Sequence, residues 1–498
     1  MAGSIFNIYN ASAGSGKTFT LVKEYLKIIL SSKEFLPHRH VLAITFTNKA
    51  VDEMKTRIID ALTDFASSDI LDQKNNLFCQ VVDELKSSPY EVHVKSKNLL
   101  HKVLHNYAAF DISTIDKFTQ KIIRTFAFDL RLPLNFEVEL DTDYILHKAV
   151  SRLLTKAGKD KVLTKTLVEF ALDKADNDKS WNIALDLAKT AKLLVKETDV
   201  SFLQDLAKHS LTDFQAFKKS LTKKIKFEET QIINLSKQVL DLILSNGIEF
   251  SDFSRSSLPK HFLALSSKKF DINFNAQWQK SIDSSTLYNQ KTSPEIAGII
   301  DRIKPELVEA FKLAKTTVYH LRFLKNIRKN TTPLSVVSLI NKELINIKKE
   351  DNLLLISEFN TIISREIKNQ PAPFIYERIG EKFNHFFIDE FQDTSELQWE
   401  NLIPLVTNTL ASENGSAMLV GDAKQAIYRW RGGRAEQFIG LYSGNNSLPF
   451  KANTCFLETN FRSCREIVNF NNSFFQHLST LVFSSEVYKL LYQAPPQL

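Results

Sequence analysis

Short apolar runs ending in polar residues mark both ends of this chain, and helical periodicity fills its middle. Ile5-Phe6-Asn7-Ile8-Tyr9 alternates apolar and polar positions and predicts a half-buried strand. Between Phe19 and Leu30 the period changes, with Leu21, Tyr25, Ile28 and Ile29 on one helical face. His40 to Phe46 reads as a second, buried strand. Ala50 to Phe65 then carries Val51, Met54, Ile58, Ile59 and Leu62 at helical spacing. Two successive strand–helix units point to an α/β fold with a parallel, doubly wound sheet. Asp111 to Asp116 is another short element, followed by a helix expected from Lys117 to about Phe128 through Phe118, Ile122, Ile123 and Phe126.

Between about Leu130 and Pro373 the pattern is helical, and only Gly158, Gly247 and Gly298 interrupt it as glycines. Asp141-Thr142 caps a helix through Ile145, Leu146, Ala149, Val150, Leu153 and Leu154. Further helices are expected over Lys179 to Glu197, Phe214 to Leu244, Pro305 to Ile327 and Leu334 to Lys348. Lysine runs such as Lys218, Lys219, Lys223, Lys224 and Lys226 read as solvated faces rather than phosphate contacts. Pro371 and Pro373 mark the return to strand patterns. His385-Phe386-Phe387-Ile388 is a continuous apolar run, as a strand buried on both faces requires. Ala417 to Gly421 is the next strand. After a linker from Ser443 to Phe450, Cys455-Phe456-Leu457 is expected to open a second α/β domain, with a helix from Arg465 through Ile467, Val468 and Phe470. The expected organisation is a sheet domain in two pieces, 1–130 and 374–442, a helical insertion over 131–373, and a second sheet domain barely begun over 451–498.

Composition narrows the class. At 498 residues the chain exceeds one ordinary core, and 43% hydrophobic with 24% charged content fits a globular protein. A net charge of +7 is compatible with a polyanionic partner. No apolar run approaches membrane-spanning length, and the first residues lack a signal peptide's basic and apolar regions, so the expected compartment is the cytoplasm without membrane contact. Cys79, Cys455 and Cys464 include no Cys-x-x-Cys pair and read as ordinary reduced thiols.

The chemistry sits where strands end. Ala11-Ser12-Ala13-Gly14-Ser15-Gly16-Lys17-Thr18 joins the first strand to the first helix, the context a phosphate-binding loop requires. Gly14 and Gly16 let backbone N–H groups turn around an anion, and the helix N-terminus adds partial positive charge. Lys17 would reach the β- and γ-phosphates of ATP and Thr18 would ligate Mg²⁺. Asp389 and Glu390 close the strand that starts at His385; Asp389 is assigned to the metal and Glu390 to accepting a proton from the attacking water. Gln425 is placed to sense a γ-phosphate or that water. Tyr428, Arg429, Trp430 and Arg431 interleave rings and cations, the composition of a single-strand nucleic-acid site. Thr45, Phe46, Thr47 and Asn48 read either as a further nucleic-acid patch or as a loop with Asn48 capping a helix. Thr114 is a candidate contact of the same kind.

Five blocks together resemble the UvrD/Rep superfamily of DNA helicases: Ala-Ser-Ala-Gly-Ser-Gly-Lys-Thr, Ile-Thr-Phe-Thr-Asn-Lys-Ala-(x)₃-Met, Ile-Asp-Glu-Phe-Gln-Asp-Thr, Val-Gly-Asp-Ala-Lys-Gln-Ala-Ile-Tyr-Arg-Trp-Arg-Gly and Leu-Glu-Thr-Asn-Phe-Arg-Ser. The long insertion, and Ser-Thr-Ile-Asp at 113–116, look like the RecB/AddA branch. The resemblance implies a P-loop NTPase (RecA-like) domain, a helical insertion and the start of a second RecA-like domain. It implies 3′-to-5′ translocation on single-stranded DNA from duplex ends, driven by Mg-ATP, with a nuclease-type partner subunit. It carries Arg462 over to the γ-phosphate, Phe461 to the adenine, and Phe46, Tyr428 and Trp430 to DNA bases. The family's later motifs, with their second arginine, do not occur here, so the chain alone is expected to bind ATP and turn it over poorly. The rival expectation is a non-catalytic ATP- and DNA-binding module.

Overall fold

The computed structural model describes residues 6–493 apart from 73, 131, 134, 176–179, 369–378, 380–381 and 445–447. Eight strands are described: β1 (Phe6–Ala11), β2 (Val41–Thr45), β3 (Ile112–Thr114), β4 (Glu137–Glu139), β5 (Leu353–Leu355), β6 (His385–Ile388), β7 (Ser416–Gly421) and β8 (Asn453–Leu457). Six of them form one sheet in the order β3-β2-β6-β7-β1-β8, all parallel. Register aligns their C-terminal ends. Thr45 lies opposite Thr114, Ile44 opposite Ile388, Ile388 opposite Leu419, and Asn10 opposite Gly421. The expected parallel α/β sheet is thus present.

Alternating residues feed two cores. Phe6, Ile8, Leu42, Ile44, Phe386, Ile388, Ala417 and Leu419 face one side, against apolar residues of the helices Ile115–Thr125, Glu396–Ala411 and Ala435–Tyr442. Val41, Ala43, Phe387, Met418 and Val420 face the other, against Lys17–Ser31 and Asn48–Ala66. Burial on both faces is why β6 and β7 read as unbroken apolar runs rather than alternating ones.

The residues divide into two compact units. One comprises Met1–Thr142, Val195–Thr198 and Lys348–Leu498, the other Asp143–Leu194 and Asp199–Ile347. The second unit is helical, as its periodicity implies, and is narrower than the expected 131–373; Pro371 and Pro373 lie outside the described residues. In the first unit β4 and β5 pair in parallel, Glu137 to Leu353 through Glu139 to Leu355, where the chain leaves for the long excursion and where it comes back. These three-residue strands are too short for a periodicity signal.

Three further expectations are corrected. Cys455–Leu457 does not open a new sheet: β8 lies along β1, from Asn7 opposite Asn453 to Ala11 opposite Leu457. Apolar alternation reports that a segment is a strand but not which strand it joins. Pro305 does not begin a helix but sits inside Pro294–Ser335, whose start is set by Ser293 accepting from the Ile296 amide at 3.4 Å and by Pro294 in the first turn. The helix expected to run to Glu197 covers only Ala184–Ala191, its expected first residue Lys179 lying outside the described residues. Glu197 belongs to the first unit, where its carboxylate accepts from Asn360 Nδ2 at 2.8 Å and Ser395 Oγ at 2.9 Å. No helix among the described residues is long and apolar enough to cross a membrane.

In the second unit, His261 is buried among the rings of Phe262, Phe274, Trp278 and Phe311 at 5.2–5.7 Å. Desolvation lowers its pKa from 6.5 to about 4. Between those values the unfolded chain binds a proton that the folded one excludes, so stability present above the unfolded pKa is lost as pH falls toward the folded one. In His261→Leu the thermal midpoint of this unit is expected to fall less between pH 7 and about 4.5 than in the wild type. Melting curves with an unchanged acid slope would assign that titration to another group.

Candidate functional site

Between β1 and the helix Lys17–Ser31 the chain makes a tight loop. Gly14 and Gly16 adopt φ of +83° and +85°, open to glycine and costly for other residues. Ser15 closes the loop by donating its amide and its hydroxyl to the Ser12 carbonyl at 3.2 and 2.8 Å. Gly16 is the N-cap and has no side chain to offer the helix amides. They remain donors for an anion.

Lys17 leaves this loop and meets Glu390, with Nζ 2.8 Å from each carboxylate oxygen. Glu390 follows β6 in the left-handed region at φ +52°, which turns the chain out of the sheet. Its amide donates to Asp389 Oδ1 at 2.9 Å, and Gln392 Nε2 donates to its Oε2 at 2.7 Å. Burial, then the neighbouring Glu390 charge, pushes Asp389 up to about 7. The same two causes push Asp393 up to about 6. Three carboxyl groups around one ammonium form a donor set that a divalent cation would balance, and Thr18 is next to Lys17 in sequence. Among the described residues no three acidic, histidine or cysteine groups gather to hold a metal by themselves. That fits an ion such as Mg²⁺, which keeps most of its waters and takes one or two protein ligands.

The end of β7 supplies the next residues. Asp422 donates its amide to Gln392 Oε1 at 3.0 Å and accepts from Gln425 Nε2 at 2.8 Å. Gln425 is therefore held beside Asp422, one link from the acidic pair. Lys424 Nζ donates to Ser12 Oγ in the phosphate-type loop at 3.0 Å. From the end of β8, the Phe461 amide donates to the Gly14 carbonyl at 2.9 Å and Asn460 Nδ2 to the Ala13 carbonyl at 3.2 Å. Phe461 is 78% exposed, its ring against Gly16, and Arg462 lies against Gly14. Sequence reading did not single out Gln392, Lys424 or Asn460. Each lies within two residues of a position that it did choose, and the signal that could have found them is the polar run itself.

The aromatic candidates also gather. Phe46 and Tyr428 have ring centroids 4.5 Å apart, and Tyr428 and Trp430 6.2 Å apart. The Arg431 guanidinium lies 5.2 Å from the Trp430 ring and 5.9 Å from that of Phe46. Trp430 is 71% exposed. Arg429 is instead paired with Glu436. Thr47, not Asn48, caps the helix that follows, accepting from the Ala50 amide at 3.2 Å, and Asn48 is the first helical residue. Thr114 caps the helix Ile115–Thr125, accepting from the Lys117 amide at 3.3 Å. Thr45 is buried, and its hydroxyl has no hydrogen-bond partner. The threonines thus differ from the rings: two hydroxyls already have partners and the third is enclosed.

The family described as UvrD/REP helicase N-terminal domain matches residues 6–443, from the first strand to beyond the aromatic block. The chain belongs to that family. An ATP-dependent helicase/nuclease subunit of Lactobacillus johnsonii is 29% identical over 97% of the chain and 40% of that protein. The subunit of the same name from Clostridium novyi is 25% identical over 95% and 38%. RecB of the RecBCD enzyme of Buchnera aphidicola is 25% identical over 97% and 39%. The chain spans about two-fifths of the length of these relatives.

A Cβ on Gly14 would lie 2.6 Å from Asn460 Oδ1, at a φ that disfavours any side chain. Strain of about 1–3 kcal/mol of this kind corresponds to roughly fivefold to more than a hundredfold in an equilibrium. Gly14→Ala is accordingly expected to weaken binding of a fluorescent ATP analogue by at least about tenfold while the melting curve changes little. Wild-type affinity would show that the loop does not shape the nucleotide site.

Proposed function

We propose that this chain is the ATP-hydrolysing part of a DNA helicase of double-strand-break repair, coupling Mg-ATP turnover to 3′-to-5′ movement on single-stranded DNA. The observation that carries the reading is the joining of two groups by one short segment. Residues 422–431 leave β7 beside the Lys17–Glu390 pair and end in the Tyr428–Trp430–Arg431 cluster. The relatives' names, RecB and a subunit of an ATP-dependent helicase/nuclease, add that the whole protein works on DNA within a complex. Its substrates are then duplex ends and the single strand drawn from them, and its partner is a nuclease-type subunit.

Hydrolysis breaks the bond from the β–γ bridging oxygen to the γ-phosphorus, forms one from water oxygen to that phosphorus, and releases a proton. In this reading Lys17 exchanges Glu390 for phosphate oxygens. Glu390, freed of its counter-ion, accepts the proton from water. Asp389 and Thr18 would hold Mg²⁺, which when bound neutralises charge on the phosphate oxygens. Gln425 and Arg462 act toward the γ-phosphate, Phe461 stacks the adenine, and Phe46, Tyr428, Trp430 and Arg431 bind the strand. Thr45, Thr47, Asn48 and Thr114 border that path. The domain reading goes with it: a first RecA-like domain built from both ends, a helical insertion, and a second RecA-like domain entered after 451.

Two substitutions test it in the full-length gene product. Glu390→Gln is expected to lower ATP turnover by about 10²–10⁴-fold with nucleotide affinity nearly unchanged. Wild-type turnover in that variant would remove Glu390 as the base. Trp430→Ala is expected to weaken single-stranded DNA binding by about 1–3 kcal/mol and ATP binding hardly at all. The reverse ranking in fluorescence titrations would end the stacking assignment.

A further inference from the structure

Gln392 touches two strand ends with one amide. Its Nε2 donates to Glu390 Oε2 at 2.7 Å and its Oε1 accepts from the Asp422 amide at 3.0 Å. It is 1% exposed. Both bonds need a planar group that donates at one atom and accepts at the other, which glutamine supplies and a carboxylate or apolar chain does not. Gly421 makes room for it: a Cβ there would lie 2.6 Å from Gln392 Oε1 and 3.2 Å from the Phe438 ring. The backbone of Gly421 does not adopt positive φ, so space, not conformation, calls for glycine. The result is a continuous chain, Lys17–Glu390–Gln392–Asp422–Gln425, across the ends of β6 and β7.

Two side chains donate to Glu390, Lys17 and Gln392. A nucleotide phosphate claims the first and leaves the second. We propose that Gln392 is the positioning residue of ATP hydrolysis. It holds the Glu390 carboxylate in its left-handed turn once Lys17 has moved to phosphate, and ties that carboxylate to the segment carrying Gln425 and the aromatic cluster. This inference rests on the reading of Glu390 as the base.

The test uses three variants of the full-length gene product: Gln392→Met, which keeps volume and loses both bonds; Gln392→Glu, which keeps the acceptor for Asp422 and loses the donor to Glu390; and Gly421→Ala, which displaces the amide from outside. Measured are kcat and KM for ATP, the affinity for a fluorescent ATP analogue, and hydrogen exchange at the Asp422 amide. Each variant is expected to lose about tenfold to a hundredfold in kcat, as losing an outer-shell hydrogen bond typically costs, with analogue affinity within about threefold of wild type. The double variant Gln392→Met/Gly421→Ala should lose no more than the worse single one, since both break the same bridge. Asp422 exchange should accelerate in Gln392→Met and stay slow in Gln392→Glu. Wild-type kcat in Gln392→Glu, or additive losses in the double variant, would overturn the proposal. If Glu390→Gln is inactive and Gln392→Glu is not, the base reading stands and this inference falls. If Glu390→Gln is active, the base reading falls, while Asp422 exchange still reports whether the bridge exists.

Discussion

Lys17 and Glu390 are separated by 373 positions in sequence and meet with 2.8 Å between ammonium and carboxylate. An ion pair cannot recruit its partners over such a distance; the sheet has to deliver them. Parallel strands in register do so because each finishes at the same edge, so whatever follows β1, β2, β6, β7 and β8 converges there. The edge then carries more acid than base. Asp389 and Asp393 are displaced upward by burial and by Glu390, and Lys17 is the one ammonium among the described residues bonded to Glu390. That imbalance is built by the backbone. Asp389 donates its amide to the Ile44 carbonyl as an extra rung beyond β6, and Glu390 turns away immediately after it.

From that edge outward the structure becomes a series of handovers between side chains and main chain. Gln392 links the acidic turn to the end of β7, and the Arg431 amide bonds the Tyr428 carbonyl. Gly433 donates to the same Tyr428 carbonyl and sits across an isolated bridge from Ser395, which caps the helix after the acidic turn. Tyr428 is thus held by the chain that precedes it and the turn that follows it, and its ring rests on Phe46 from the end of β2. A base stacked on this platform would press on groups bonded, a few links away, to the carboxylate beside Lys17. That connectivity is the physical content of coupling between nucleic acid and nucleotide in a helicase of this family.

What could be read from the sequence follows from which physical signals are local. Phe386 to Ile388 and Met418 to Val420 are apolar without a break because both faces of the sheet are covered, and that burial is visible residue by residue. The loop at Gly14 to Thr18 was legible for the same reason, since its chemistry is contiguous. Strand partners are not local. Nothing in Cys455 to Leu457 distinguishes an edge strand beside β1 from the first strand of another sheet. Hydroxyls are ambiguous for a related reason: Thr47 and Thr114 have the composition of phosphate contacts but satisfy helix amides, and the choice depends on backbone geometry. Gln392 escaped because its importance lies in facing Gly421 across the sheet, a relation between two residues that periodicity does not encode.

The strand order also dictates when the sheet can assemble. β2 and β3 are neighbours made early, yet β1, the first strand synthesised, pairs only with β7 and β8. Until Ser416–Gly421 has emerged from the ribosome, the strand that carries the phosphate-type loop has nothing to bond to. The helices of the second unit, by contrast, are complete by Ile347 and rely largely on local contacts, which form fast. The nascent chain therefore presents a finished helical unit and an unfinished sheet at the same moment, with Phe6, Ile8, Leu42 and Ile44 still waiting for Phe386 and Leu419. Assembly of the catalytic edge becomes the last event of folding this unit, and a chain interrupted before β7 holds neither a closed sheet nor a site.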